Sequence, residues 1–195
     1  MPMRLALAMI WWALTVRSDV RLAAACAAGF HCMLRTIEIC TVTPSCICVA
    51  ADASGVIALP WTKMGQQKGT QEMVTFSEPL VGRLLMKAAA VTPAASPLIA
   101  SVPAFRADFA AACNELGVAD LQFKPYSLRR GGASYDFIAY GDIMRTLWRG
   151  RWSGCQTGRI YVQEGVAVQT QMRMSAATER AMDVAVTALA AWQQA

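Results

Sequence analysis

Arg129 and Arg130 open a helical pattern beside Gly131 and Gly132, in the run Tyr126-Ser127-Leu128-Arg129-Arg130-Gly131-Gly132. Guanidinium forks and backbone N–H groups can converge there on a phosphate. Arg149, Arg151 and Trp152 form a basic and aromatic loop, with Arg159 and Tyr161 just beyond it. Arg35 and Glu38 stand at i and i+3, a spacing that pairs them on one helix. Lys63 stands at the end of a strand pattern, in Trp61-Thr62-Lys63-Met64-Gly65. Taken singly, each group has an ordinary explanation. An i,i+3 ion pair contributes about 0.2–0.5 kcal/mol, and a turn lysine is usually just solvated.

Composition narrows the chemistry. The chain has 195 residues, of which 55% are hydrophobic and 16% charged. That excludes a disordered tail and allows one sizeable core. The net charge of +5 suits a polyanionic partner without proving one. His31 is the only histidine, which rules out a His-rich metal site. Seven cysteines are an odd number, and none forms a CxxC pair; the nearest is Cys46-x-Cys48. They read as small buried hydrophobes in a reducing compartment, with no zinc site.

The elements that must hold these residues follow from periodicity. Residues 3–16 and 19–34 read as helices, the second capped by Asp19. The apolar run Leu5 to Leu14 imitates a secretory signal or anchor. At about ten residues it is too short for the ~20 of a membrane span, so it reads as a core helix. The helical pattern continues over residues 34–41 and stops at Thr43-Pro44. Cys46 to Ala50, Val56 to Leu59 and Glu72 to Phe76 read as three antiparallel strands, with turns at residues 52–55 and 64–69. Helices follow at residues 79–90, 104–116, 127–140 and 143–148, with a proline-rich loop over 91–103 and a polar loop over 151–158. Residues 175–193 form a last amphipathic helix with Met182, Val186, Leu189 and Trp192 on one side. It packs on its own domain or docks on a neighbouring copy. The expected fold is mainly α with a small antiparallel three-stranded sheet, in one domain over residues 1–195.

Four segments in this order resemble the catalytic domain of the tyrosine recombinase (phage integrase) family. Leu34-Arg35-Thr36-Ile37-Glu38-Ile39 is similar to the first arginine box, and Thr62-Lys63-Met64-Gly65 to the strand-turn lysine. Tyr126-Ser127-Leu128-Arg129 is similar to the His-x-x-Arg box. Gly150-Arg151-Trp152 followed by Tyr161 resembles the His/Trp position and the nucleophile. Trp152 stands 23 positions after Arg129, and Tyr161 nine positions after Trp152. Each box alone is common by chance; four in order at this spacing are not. The likeness covers about residues 3–175, and helices followed by a small sheet and more helices suit it.

The resemblance implies a recombinase-like fold and a metal-independent enzyme that breaks and rejoins DNA. Tyr161 would attack a phosphodiester and form a 3′-phosphotyrosyl link. Arg35 and Arg129 would hold the non-bridging oxygens. Lys63 would protonate the leaving 5′-oxygen, and Trp152 would donate its indole N–H to the phosphate. Glu38 would orient the first arginine box. The implied partners are double-stranded DNA and other copies of the chain, with no cofactor and no membrane. The implied location is intracellular: the nucleus in a eukaryote, the cytoplasm in a prokaryote.

Two features depart from the family pattern. Tyr126 stands where the family usually has histidine. A phenol can donate a hydrogen bond to phosphate, but with a pKa near ~10 it is a poor proton acceptor at neutral pH, so slower cleavage is expected. The family also usually carries a separate helical domain that clamps the far face of the duplex. Only about thirty residues precede Arg35, so that domain is expected to be absent, with weaker DNA affinity. Two other readings remain: a catalytically inactive DNA-binding remnant of a mobile-element recombinase, and a membrane-associated helical protein held by residues 3–16.

Overall fold

The computed structural model describes residues 1–60, 72–154, 156 and 173–194. Among the described residues the chain forms eight α-helices and one three-stranded antiparallel sheet. Helix α1 (Met3–Thr15) buries Leu5, Met9, Ile10 and Trp12. Its apolar run is core, as expected, and no helix among the described residues is long and apolar enough to cross a membrane. Helix α2 (Val20–His31) starts where Asp19 accepts the N–H groups of Arg21 and Leu22. A capping aspartate of this kind contributes about 1 kcal/mol. Everything on α2 from Leu22 to His31 is buried. Its Ala-rich surface lets neighbouring helices approach closely.

The continuous helix expected over residues 34–41 does not form. Helix α2 ends at His31, Met33 takes a left-handed φ of 49°, and Arg35 is extended at φ −70° and ψ 151°. A separate short helix, α3 (Thr36–Ile39), begins after it. The cause is local. The carboxylate of Glu38 reaches back to accept the backbone N–H of Arg35 at 2.7 Å, which starts a new helix rather than prolonging the old one. Arg35 and Glu38 are thus cap and first turn, not two points on one helical face.

A 3-10 turn, Pro44–Cys46, leads to the sheet. Strands β1 (Ile47–Val49), β2 (Gly55–Leu59) and β3 (Glu72–Phe76) pair in order, with Ile57 opposite Ile47 and Val74. The alternation seen in the sequence puts Ile57, Leu59, Val74 and Phe76 into the core. Strand β1 is shorter than expected because Cys46 belongs to the preceding turn. Asp52 closes the β1–β2 turn by accepting from the N–H and hydroxyl of Ser54. The expected turn at residues 64–69 lies outside the described residues.

Helix α4 (Pro79–Ala90) packs on α2. Helix α5 (Val102–Glu115) starts two residues earlier than expected, because Ser101 caps it and Pro103 sits in the first turn, where no N–H is needed. Helix α6 (Tyr126–Tyr140) ends at Gly141, and Asp142 caps α7 (Ile143–Gly150). Helices α2 and α6 touch almost backbone to backbone. A Cβ on Gly132 would lie 1.9 Å from the carbonyl oxygen of Phe30. This close approach sets Arg129 beneath the end of α2.

Helix α8 (Ala176–Trp192) lies against α1 of its own chain. Arg4 pairs with Glu179 at 2.8 Å, and Thr178 donates to the carbonyl of Leu116. Its buried stripe is Met182, Ala185 and Leu189. Val186, expected on that stripe, is exposed instead. From Met182, steps of three and four give Ala185 and Leu189, so a residue four positions on from Met182 has rotated off the face.

Candidate functional site

Arg129 is the organising residue. Placed in the first turn of α6, it is only 1% exposed. Its Nη1 donates to the carbonyl of Met33 and its Nη2 to the carbonyl of Gly150 at 2.5 Å. Its guanidinium stacks over the Trp152 ring at 4.7 Å. Burial, then the charges of Arg35 and Arg151, push its pKa down to about 10. It therefore stays charged at neutral pH.

The end of α7 supplies the rest of this wall. Gly150 is followed by Arg151 in the left-handed region at φ 58°, which turns the chain back. Trp152 then folds over Gly150 so closely that a Cβ there would meet the indole at 1.8 Å. The Gly150-Arg151-Trp152 sequence is thus a packing requirement. Only glycine leaves room for the indole that covers Arg129.

Glu38 stands across from this wall, 1% exposed. Its Oε1 accepts from Arg35 Nη1 and its Oε2 from Arg151 Nη2, each at 2.5 Å. Arg151 Nε lies 3.4 Å from Glu72 on β3. Three guanidiniums, those of Arg35, Arg129 and Arg151, therefore gather about one buried carboxylate, with a second at the edge. Such a surplus of positive charge favours an anion, and planar guanidiniums match the geometry of phosphate. A cleft of about 640 Å³ opens beside it, lined in part by Met73, Trp148, Arg151 and Trp152.

A second buried carboxylate stiffens the frame. Asp136 on α6 accepts from Arg149 at 3.0 Å and Thr146 at 2.8 Å, and Arg149 also donates to the carbonyl of His31 at 2.9 Å. Helices α6 and α7 and the end of α2 are tied at one point.

His31, on that same end of α2, is 7% exposed. Burial, then the charge of Arg149, lowers its pKa to about 4. A histidine held neutral in the fold but protonated when unfolded makes stability rise with pH between these two pKa values. The fold should therefore lose about 2 kcal/mol between pH 6.5 and pH 5 through His31. Urea denaturation at the two pH values measures the loss, and His31→Gln should flatten it over this window.

Of the residues singled out in the sequence, Arg35, Arg129 and Trp152 come together. Tyr126 begins α6 one turn before Arg129 and is 37% exposed, at the rim. Lys63 and Tyr161 lie outside the described residues. Sequence reasoning gave no role to Arg151, which links Glu38 to Glu72. No local signal in Arg149-Gly150-Arg151 marks it, because the turn that brings it inward lies in the left-handed backbone of Arg151 itself. Comparison with protein-family models, with curated proteins and with solved structures finds no match to this chain.

Proposed function

We propose that the chain is a tyrosine-type DNA strand transferase, the catalytic domain of a site-specific recombinase or integrase acting as a homo-oligomer on double-stranded DNA. The observation behind this reading is the meeting of Arg35, Arg129 and Trp152, distant in sequence, around one cationic pocket. The ordered boxes of the sequence supply the remaining parts.

In this reading the phenolic oxygen of Tyr161 attacks a backbone phosphorus, and the bond from phosphorus to the 5′-oxygen breaks. Lys63 gives its proton to that leaving oxygen. The guanidinium of Arg35 stabilises the charge that builds on the non-bridging oxygens, and Arg129 adds its field from beneath. The proton of Tyr161 passes to solvent, since the phenol of Tyr126 is a poor acceptor and serves as a hydrogen-bond donor at the rim. The 3′-phosphotyrosine conserves the bond energy, and attack by a 5′-hydroxyl reverses the step.

A second reading is a duplex-binding module of the same family that does not cleave. The burial of Arg129 and its bonds to the carbonyls of Met33 and Gly150 favour it, because those bonds make the side chain a clamp between helices. A nicked suicide duplex separates the two. Strand transfer gives a covalent protein–DNA complex that Tyr161→Phe lacks. The non-cleaving module gives salt-sensitive binding, no adduct, and no change in Tyr161→Phe.

A further inference from the structure

We infer that Arg151 is a positioning residue for the anion pocket: by taking one oxygen of Glu38, it leaves the positive charge of Arg35 available to a phosphate. The inference deepens the strand-transfer reading and rests on its anion-binding half.

Glu38 is a single negative charge held between two positive ones. Arg35 Nη1 meets Oε1, while the Arg35 backbone N–H and Arg151 Nη2 share Oε2. The side chain of Glu38 is 1% exposed, that of Arg151 12% and that of Arg35 35%. Arg35 therefore faces the solvent side and Arg151 the protein side of the same carboxylate. Arg151 is fixed by its second contact, to Glu72, and by its left-handed backbone at the end of α7. Its Nη1 is buried and makes no hydrogen bond among the described residues.

The charges then decide the outcome. Arg35, Arg129 and Arg151 face Glu38 and Glu72, which leaves one net positive charge. Without Arg151 the cluster is neutral, and Glu38 pairs with Arg35 alone. An arriving phosphate would have to compete with that pair for the one arginine at the surface. The role of Arg151 is thus to carry charge into the network. A lysine there should serve nearly as well, and removing Glu38 along with Arg151 should restore the surplus.

Titration of the full chain with inorganic pyrophosphate at low ionic strength, followed by calorimetry, tests this. Wild-type protein binds. Arg151→Gln weakens binding about tenfold or more, a size expected for one unit charge beside a partly exposed site. Arg151→Lys stays within about threefold of wild type, on the same charge argument. The double variant Glu38→Gln/Arg151→Gln regains most of the affinity lost by Arg151→Gln. Circular dichroism confirms that each variant folds. Where Arg151→Gln does not, Glu72→Gln decides instead: removing that partly exposed carboxylate raises the same charge surplus and should tighten binding several-fold, and unchanged affinity would overturn the inference.

The inference is overturned by a wild-type chain that does not bind pyrophosphate. Unchanged affinity in Arg151→Gln, a lysine variant as weak as the glutamine one, or no recovery in the double variant would each overturn it as well. A chain that shows the expected pattern but forms no adduct with DNA leaves the inference standing and ends the strand-transfer reading.

Discussion

Glu38→Ala should lower the unfolding free energy by about 3–5 kcal/mol, the usual cost of removing one partner from a buried ion pair. The carboxylate is almost wholly enclosed and carries three hydrogen bonds, two from guanidiniums and one from the N–H that starts α3. Alanine leaves Arg151 charged in the interior with Glu72 as its remaining acidic neighbour. It also adds to the repulsion already felt by Arg129 and removes the interaction that begins α3. The exposed pair Arg4–Asp183 is the contrast, for which a surface bridge predicts about 0–1 kcal/mol. Urea denaturation at pH 7 compares the two. A loss below about 1 kcal/mol for Glu38→Ala would mean that the network is not coupled to folding.

Arg35→Ala is expected to do the opposite: to spare the fold and cripple the chemistry. Its side chain is 35% exposed, so removing it creates no large cavity, and Glu38 keeps Arg151 as a partner. On the proposed strand-transfer function, what is lost is a cationic donor to the charge that develops on a phosphate. Loss of one such donor slows reactions by about 10²–10³-fold. Single-turnover adduct formation on a nicked duplex should fall by that factor, while the melting temperature moves by only a few degrees. Arg129→Ala differs, because it leaves the carbonyls of Met33 and Gly150 without their donor and uncovers the underside of Trp152. That variant should lose activity and stability together. An Arg35→Ala protein that forms adduct at the wild-type rate would remove Arg35 from the chemistry.

The two variants differ because the arginines sit at different depths, and depth is what the sequence conveys least. Periodicity gave the order of elements: the two N-terminal helices, the three strands and the later helices, with Asp19 marking the start of the second. These signals are local, and local hydrogen bonds decide them. The end of α2 is different. Nothing in the run from Phe30 to Ile39 marks a break, because what breaks it is a carboxylate reaching back to a backbone N–H and a left-handed residue at Met33. The burial of Arg129 has a similar origin. It depends on the contact at Gly132, on the indole folded over Gly150, and on carbonyls from two other segments. No spacing within Tyr126-Ser127-Leu128-Arg129 encodes these. Val186 failed for a simpler reason: a helical face drawn by counting is only about as wide as one residue's rotation, and the neighbour Ala185 packed better.

Strand transfer as proposed requires a covalent bond from Tyr161 to phosphorus. The direct measurement is mass spectrometry of the trapped protein–DNA complex after digestion with trypsin and nuclease. Cleavage after Arg159 and Arg173 releases residues 160–173 as one peptide containing Tyr161 as its sole tyrosine. This peptide should carry the nucleotide mass, on the phenolic oxygen, and the modified species should be missing from Tyr161→Phe. An adduct on any other peptide, or duplex DNA bound and recovered intact with no modified peptide, would contradict it.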